Sequence, residues 1–229
     1  MRVKASVKEV VQETPHVRLV RLTWPDFDKF SFRPGQWVGV WSEDFKDENN
    51  RPIRRAFSIA SLAREPYLEL CIARGKGLSR ILQDSCPGDV FWVDGPYGVF
   101  SLKPSREYLF IAGGTGIAPF RPMVDQALLQ GKKTTLIFSM KTPSDFIYRS
   151  YFRQLEQNPL FTLVPTITSG EDFPAWKGRK GRCTAFLNEY WKEGIGCYIC
   201  GPSGLVNDAK TVLLSLGQKE EDIFLDKWE

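Results

Sequence analysis

Histidine is nearly absent: His16 is the only one in 229 residues. With so few soft ligands, neither a structural zinc site nor a histidine-based catalytic triad is expected. The five cysteines, Cys71, Cys86, Cys183, Cys197 and Cys200, are an odd number, which argues against a disulfide framework. They also include no four-cysteine set for an iron–sulfur cluster. Cys197 and Cys200 have C-x-x-C spacing, but they sit in Gly196-Cys-Tyr-Ile-Cys-Gly201, which reads as a buried strand. Residues three apart on a strand face opposite sides, so the pair is a poor metal clamp. No apolar run approaches the length that crosses a bilayer, and the opening MRVKASVKEVVQETP lacks a signal-peptide pattern. A cytoplasmic protein without membrane insertion is the expectation. The net charge of +4 is small, and its densest cluster is Arg51, Arg54 and Arg55. No broad basic stripe studded with aromatics is present, so no nucleic-acid partner is expected.

What is present is ordinary globular composition, 42% hydrophobic and 25% charged, in a chain long enough for two domains. Its two halves have different periods. Up to about residue 102, short β-branched or aromatic runs are bounded by Pro, Gly, Asp or Asn. They predict strands over 3–11, 17–24, 37–41, 55–59, 67–73 and 90–93. A short helix is predicted over 78–83, and the acidic stretch 43–50 reads as a loop. Six strands without long helices suggest a barrel, which removes exposed sheet edges.

Beyond residue 107 strands alternate with helices. Strands are predicted over 108–112, 134–139, 161–168, 197–200 and 223–225, and helices over 119–130, 144–157, 184–191 and 203–216. Pro165 argues that the third strand is bent or near an edge. Alternation of this kind means a parallel sheet. The expected fold is therefore a six-stranded antiparallel β-barrel over residues 1–102, followed by a doubly wound α/β parallel sheet over 103–229.

The candidate chemistry lies in glycine-rich turns. Gly113-Gly-Thr-Gly-Ile-Ala-Pro119 follows a buried strand and opens a helix, a setting in which backbone N–H groups approach an anion. It lacks the third glycine of G-x-G-x-x-G and the Lys of a P-loop, and a plain strand–helix turn uses the same residues. Cys200-Gly-Pro-Ser-Gly204 is a second such turn. In open α/β sheets ligands bind beyond the carboxyl ends of strands, at the switch point, and both turns lie on that edge. In the first half, Arg55-Ala-Phe-Ser-Ile59 offers a cation for a phosphate, an aromatic ring and a hydroxyl. A barrel strand with a surface arginine has the same residues. Gly75-Lys-Gly-Leu-Ser79 precedes the short helix, either as an anion site or as a capped hairpin loop.

In this order the segments resemble the ferredoxin–NADP+ reductase superfamily across nearly the whole chain. Arg55-Ala-Phe-Ser58 is similar to the family's R-x-Y-S flavin motif, with Phe57 in place of Tyr. Gly75 to Ser79 resembles its flavin pyrophosphate loop, and Gly88-Asp-Val90 with Gly95-Pro-Tyr-Gly98 its closing strand. Gly113 to Pro119 resembles G-G-T-G-I-A-P, and Cys200-Gly-Pro202 resembles C-G-P.

The resemblance implies an NAD(P)H-dependent reductase that passes hydride from nicotinamide to flavin and electrons on to a carrier such as ferredoxin. FAD is the implied flavin, with FMN the alternative, and NADPH or NADH the reductant. By carry-over, Arg55, Phe57, Ser58, Ile59, Gly77, Leu78, Ser79, Thr115 and Trp228 contact the flavin. Gly113, Gly114, Thr115, Gly116, Lys141, Cys200, Gly201 and Pro202 contact NAD(P). Ser58, Cys200 and Asp226 are the implied catalytic set, Asp226 taking the part of the family's C-terminal acid. Two other readings stay open: an electron-transfer subunit of a larger complex, and a flavin-binding regulatory protein without turnover.

Overall fold

Pro15 and His16 turn the chain between two strands, β1 (Arg2–Thr14) and β2 (Val17–Thr23), closing a hairpin on the Thr14–Val17 pair. The computed structural model describes residues 1–169 and 173–228. They form two units, Met1–Ser101 and Leu102–Glu229.

In the first unit β3 (Trp37–Trp41), β4 (Arg55–Ser58), β5 (Leu68–Ala73) and β6 (Val90–Tyr97) complete an antiparallel sheet of order β4-β3-β6-β1-β2-β5. Its two ends meet: Ile59, just past β4, bridges Leu70 of β5, and the Ala60 N–H donates to Glu69 O at 2.9 Å. Alternation along the strands sends Val20, Leu22, Val38, Val40, Leu70, Ile72, Phe91 and Val93 inward. Helix α1 (Leu78–Gln83) adds Leu78 and Leu82 to this core. Each buried leucine contributes about 1.5–3 kcal/mol. The loop over 43–50 packs through Phe45: a Cβ on Gly77, which has φ 60°, would lie 2.8 Å from the Phe45 ring.

One carboxylate is buried in this unit. Glu69 has no exposed side-chain surface, and Arg21 Nε meets it at 2.8 Å. Arg21 also reaches Glu9 at 2.7 Å and lies over the Tyr67 ring.

The second unit is a parallel sheet of order β10-β9-β8-β7-β11-β12. Its strands are β7 (Glu107–Gly113), β8 (Lys133–Met140), β9 (Phe161–Ile167), β10 (Arg179–Lys180), β11 (Gly196–Pro202) and β12 (Ile223–Trp228). Helices α2 (Phe120–Leu129), α3 (Arg149–Leu155), α4 (Leu187–Tyr190) and α5 (Ser203–Ser215) connect them. Alternate residues of β7 serve the two faces. Leu109 and Ile111 pack with Leu187, Val206 and Leu213, whereas Phe110 lies 5.0 Å from Phe120 of α2. Pro165 of β9 stands just before the two residues that pair with the short edge strand β10.

Three expectations are corrected. The helix expected over 144–157 is broken into a 3₁₀ turn at Pro143–Asp145, capped by Thr142, and α3. Phe146, Ile147 and Tyr148 between them are all buried, which one helical face cannot achieve for three consecutive residues. Tyr148 takes φ 56°, which re-aims the chain into α3. The helix over 184–191 is a 3₁₀ turn, Cys183–Phe186, and one α-turn. The sixth barrel strand, expected to end at 93, runs on to Tyr97 because it pairs with β3 on one side and β1 on the other.

Candidate functional site

The chain winds outward from β7 in one direction through β8 and β9, then returns to place β11 on β7's other side. This makes the carboxyl ends of β7 and β11 the switch point, where a crevice opens in sheets of this kind. In register, Cys200 pairs with Ala112, so Gly113 and Gly201 are the next residues out. They touch. A Cβ on Gly201 would lie 3.2 Å from Gly113 N and 3.4 Å from its Cα and O. A Cβ on Gly113 would lie 2.6 Å from Leu205 Cδ1 and 3.3 Å from Pro202 Cδ.

Beyond them Gly114 opens a 3₁₀ turn, Gly114–Ile117, at φ 55°, with no atom within 4 Å of where its Cβ would stand. Thr115 is half-buried and Gly116 buried in the same turn. Backbone without side chains, bordered by open space, suits a pyrophosphate. Pro202 and Ser203 begin α5 immediately after Gly201.

Cys200 is buried, and its thiol faces Asp226 across the β11–β12 pairing, Sγ to Oδ2 3.7 Å. Burial pushes the thiol pKa well above its ordinary value, and the Asp226 charge adds to that. Burial also raises the Asp226 pKa, against the thiol that donates to it. Cys200 therefore stays protonated at neutral pH, an apolar wall with a weak S–H donor rather than a nucleophile. Trp228 pairs with Pro202 through its backbone; the expectation for its ring lies outside the described residues.

A cavity of about 360 Å3 opens at the carboxyl ends of β8 and β9. Ser139, Thr168, Arg182, Thr184, Leu205 and Asp208 are among its lining residues. Lys141 is exposed two residues after Ser139, and its carbonyl accepts from Ser169 N at 3.1 Å.

In the first unit Arg55 is exposed at the start of β4 and pairs with no acid among the described residues. The antiparallel bridge Ile59–Leu70 puts the Arg55 end of β4 at the same end of the barrel as Gly75 to Ser79. Ser58 and Ser79 are half-buried. Phe57 is half-buried against the barrel core. Two of the residues expected at the flavin send their side chains into the core. The Ile59 side chain is wholly buried in the core and its N–H donates to Gln36 O, and the Leu78 side chain fills the barrel. Either can meet a ligand only through other backbone atoms.

Sequence reasoning missed Asp208 and Thr184. Neither carries a local signal, since only tertiary structure brings α5, the turn before α4 and the ends of β8 and β9 together. Arg182 carries no signal of its own beyond ending a basic stretch, Lys177 to Arg182.

This architecture is a parallel sheet with paired glycine turns at its switch point, and the family model of the oxidoreductase NAD-binding domain matches residues 110–211 within it. Ferredoxin–NADP reductase B of Sorangium cellulosum is 28% identical over 94% of this chain and 93% of its own length. The reductase component DmpP of phenol 2-monooxygenase from Pseudomonas is 28% identical over 76% of this chain. This chain spans 53% of that longer protein. Among solved structures, a ferredoxin NADP+ reductase from Neisseria gonorrhoeae with bound FAD and NADP superposes with a TM-score of 0.83 at 21% identity, covering 99% of this chain and 98% of its own. The Amycolatopsis cytochrome P450 reductase GcoB gives 0.85 at 24% identity, over 99% of this chain and 69% of its own. Along nearly its whole length the chain is similar to a ferredoxin–NADP reductase, and the NAD-binding family model matches within its second unit.

Proposed function

We propose that the chain is an NAD(P)H-dependent FAD oxidoreductase that delivers electrons to a protein carrier, residues 1–102 holding the flavin and 103–229 the nicotinamide nucleotide. The observation that carries this reading is the Gly114–Ile117 turn at the switch point, where the bare backbone of Gly114 borders open space suited to a pyrophosphate. When bound, the flavin supplies two-electron acceptance from nicotinamide and one-electron release, chemistry that no side chain provides.

The residues divide the work as follows. Gly113, Gly114 and Gly116 present N–H groups to the NAD(P) pyrophosphate, with Thr115 and Lys141 beside them. Cys200, Gly201 and Pro202 form the wall for the nicotinamide, and the thiol, held protonated beside Asp226, excludes water without reacting. Arg55 neutralises flavin phosphate, Gly77 and Ser79 cradle it, and Ser58 offers a hydroxyl to the ring system, with Phe57 supporting its edge. FMN needs only part of the Gly75 to Ser79 cradle, so FAD is preferred.

A ferredoxin-like carrier or an oxygenase component is the proposed acceptor, in keeping with the names of the relatives. No helix of the described residues is long and apolar enough to cross a membrane. A cytoplasmic location is part of the same proposal, since NAD(P)H is a cytoplasmic reductant. A second reading, a subunit of a larger oxidoreductase, is favoured by similarity to the gamma subunit of Pyrococcus furiosus sulfhydrogenase 1, 28% identical over 98% of this chain.

The test is an anaerobic visible spectrum of the flavin-loaded protein before and after NADH, then NADPH. Bleaching by either supports the reductase. Flavin that stays oxidised with both overturns it.

A further inference from the structure

The cavity at the ends of β8 and β9 holds two opposite charges that the glycine turns do not require. Arg182 Nη1 lies 3.0 Å from Asp208 Oδ2. Both line the cavity beside Ser139, Thr168 and Thr184. Arg182 arrives two residues after β10, and Asp208 stands on the second turn of α5. The side chains keep 75% and 49% of their exposure, so both charged heads are open to a ligand in the cavity.

NADH and NADPH differ at one atom of the adenosine ribose, a 2′-hydroxyl or a 2′-phosphate. A carboxylate accepts a hydrogen bond from the hydroxyl and repels the phosphate; a guanidinium favours the phosphate. Here the two are coupled, and the carboxylate engages the guanidinium that a phosphate would need. Resting on the reading of this unit as the NAD(P) site, we propose that the Arg182–Asp208 ion pair is its coenzyme selector and that Asp208 biases it toward NADH. Asp208 accepts from the ribose 2′-hydroxyl and withholds Arg182 from a 2′-phosphate. Without that carboxylate, Arg182 is released to bind phosphate.

Calorimetric titration of the full chain with 5′-AMP and with adenosine 2′,5′-bisphosphate tests this without any turnover. The wild-type chain is expected to bind 5′-AMP at least as tightly as the bisphosphate. Asp208→Asn is expected to shift the ratio of the two Kd values about tenfold toward the bisphosphate, the scale of one charged contact. Adding Arg182→Ala to that variant is expected to abolish the shift. Asp208 is exposed, so the variant's circular dichroism should match the parent's. An unchanged ratio in Asp208→Asn overturns the proposal, as does a shift that survives loss of Arg182. Failure of the wild-type chain to bind either probe also overturns it. Flavin that neither coenzyme reduces, with probe binding intact, sinks the reductase reading instead and leaves the selector standing.

Discussion

Gly201 lies so close to Gly113 that a Cβ on it would stand 3.2 to 3.4 Å from three Gly113 backbone atoms. Backbone atoms at the ends of two paired strands cannot move aside as a side chain tip can. Gly201→Ala is therefore expected to cost about 1–3 kcal/mol, the range for overpacking a filled site. It should also weaken NAD(P) binding by displacing the turn. Gly114→Ala meets no neighbour and should cost only about 1–2 kcal/mol for its left-handed backbone. Urea melts of the two variants check both values.

The Arg21–Glu69 pair yields a second expectation. Removing Arg21 leaves the fully buried Glu69 carboxylate without its nearest cation. Arg21→Ala should destabilise the protein by about 3–5 kcal/mol, and Arg21→Leu with Glu69→Leu together should recover most of that loss. Denaturant unfolding of the single and double variants decides it.

Thiol chemistry provides a third. Cys86 is exposed and Cys71, Cys183, Cys197 and Cys200 are buried. Burial pushes the thiols of Cys183 and Cys197 up to about 11 and about 12, and that of Cys200 well above the usual range. Iodoacetamide at pH 8 should alkylate Cys86 first in the native protein and all five cysteines in denaturant, read by mass spectrometry. Rapid native labelling at Cys200 would contradict its protonated, enclosed state.

Asp226 makes stability depend on pH. Its pKa is raised by burial, so the folded chain holds that proton more tightly than the unfolded chain. The stabilisation from protonation is fully present below the unfolded value near 3.8 and is lost as pH rises through the folded value. At pH 7 the buried charge is a liability. Asp226→Asn should thus raise the melting temperature at pH 7, and the difference should shrink toward pH 4. An equal shift at both pH values would refute it.

For the flavin unit, Arg55→Ala removes an exposed cation that no acid occupies among the described residues. Flavin reconstitution should weaken about tenfold, on the scale of one charge-assisted phosphate contact. The melting temperature of the flavin-free protein should not change. Fluorescence titration with FAD reads the first and calorimetry the second.

The elements that sequence reasoning located well are those with local causes. The β3 run 37–41 and the α1 run 78–83 coincide with the structure because turn residues bound each one. The helix expected over 144–157 failed because its apolar residues are consecutive, and their burial, with Phe146 against Phe138 of β8 and Tyr148 against Phe152, outweighed helical spacing. At the site, the glycine turns were legible because bare backbone leaves a mark in the sequence. Ile59 and Leu78 lay within those motifs, yet their side chains went to the core, because a motif does not say which face of a strand or helix is inward.

The sequence alone determined the division into a strand-rich half and an alternating half, the two glycine turns, and the family resemblance those motifs carry. Periodicity and glycine placement are written residue by residue, so they survive without coordinates. Tertiary structure decided what lies between distant segments: the Gly113–Gly201 contact, the Cys200–Asp226 pairing and the Arg182–Asp208 ion pair. Each depends on β11 or α5 returning to β7's side of the sheet, and strand order is set by packing both sheet faces at once rather than by any local run of residues.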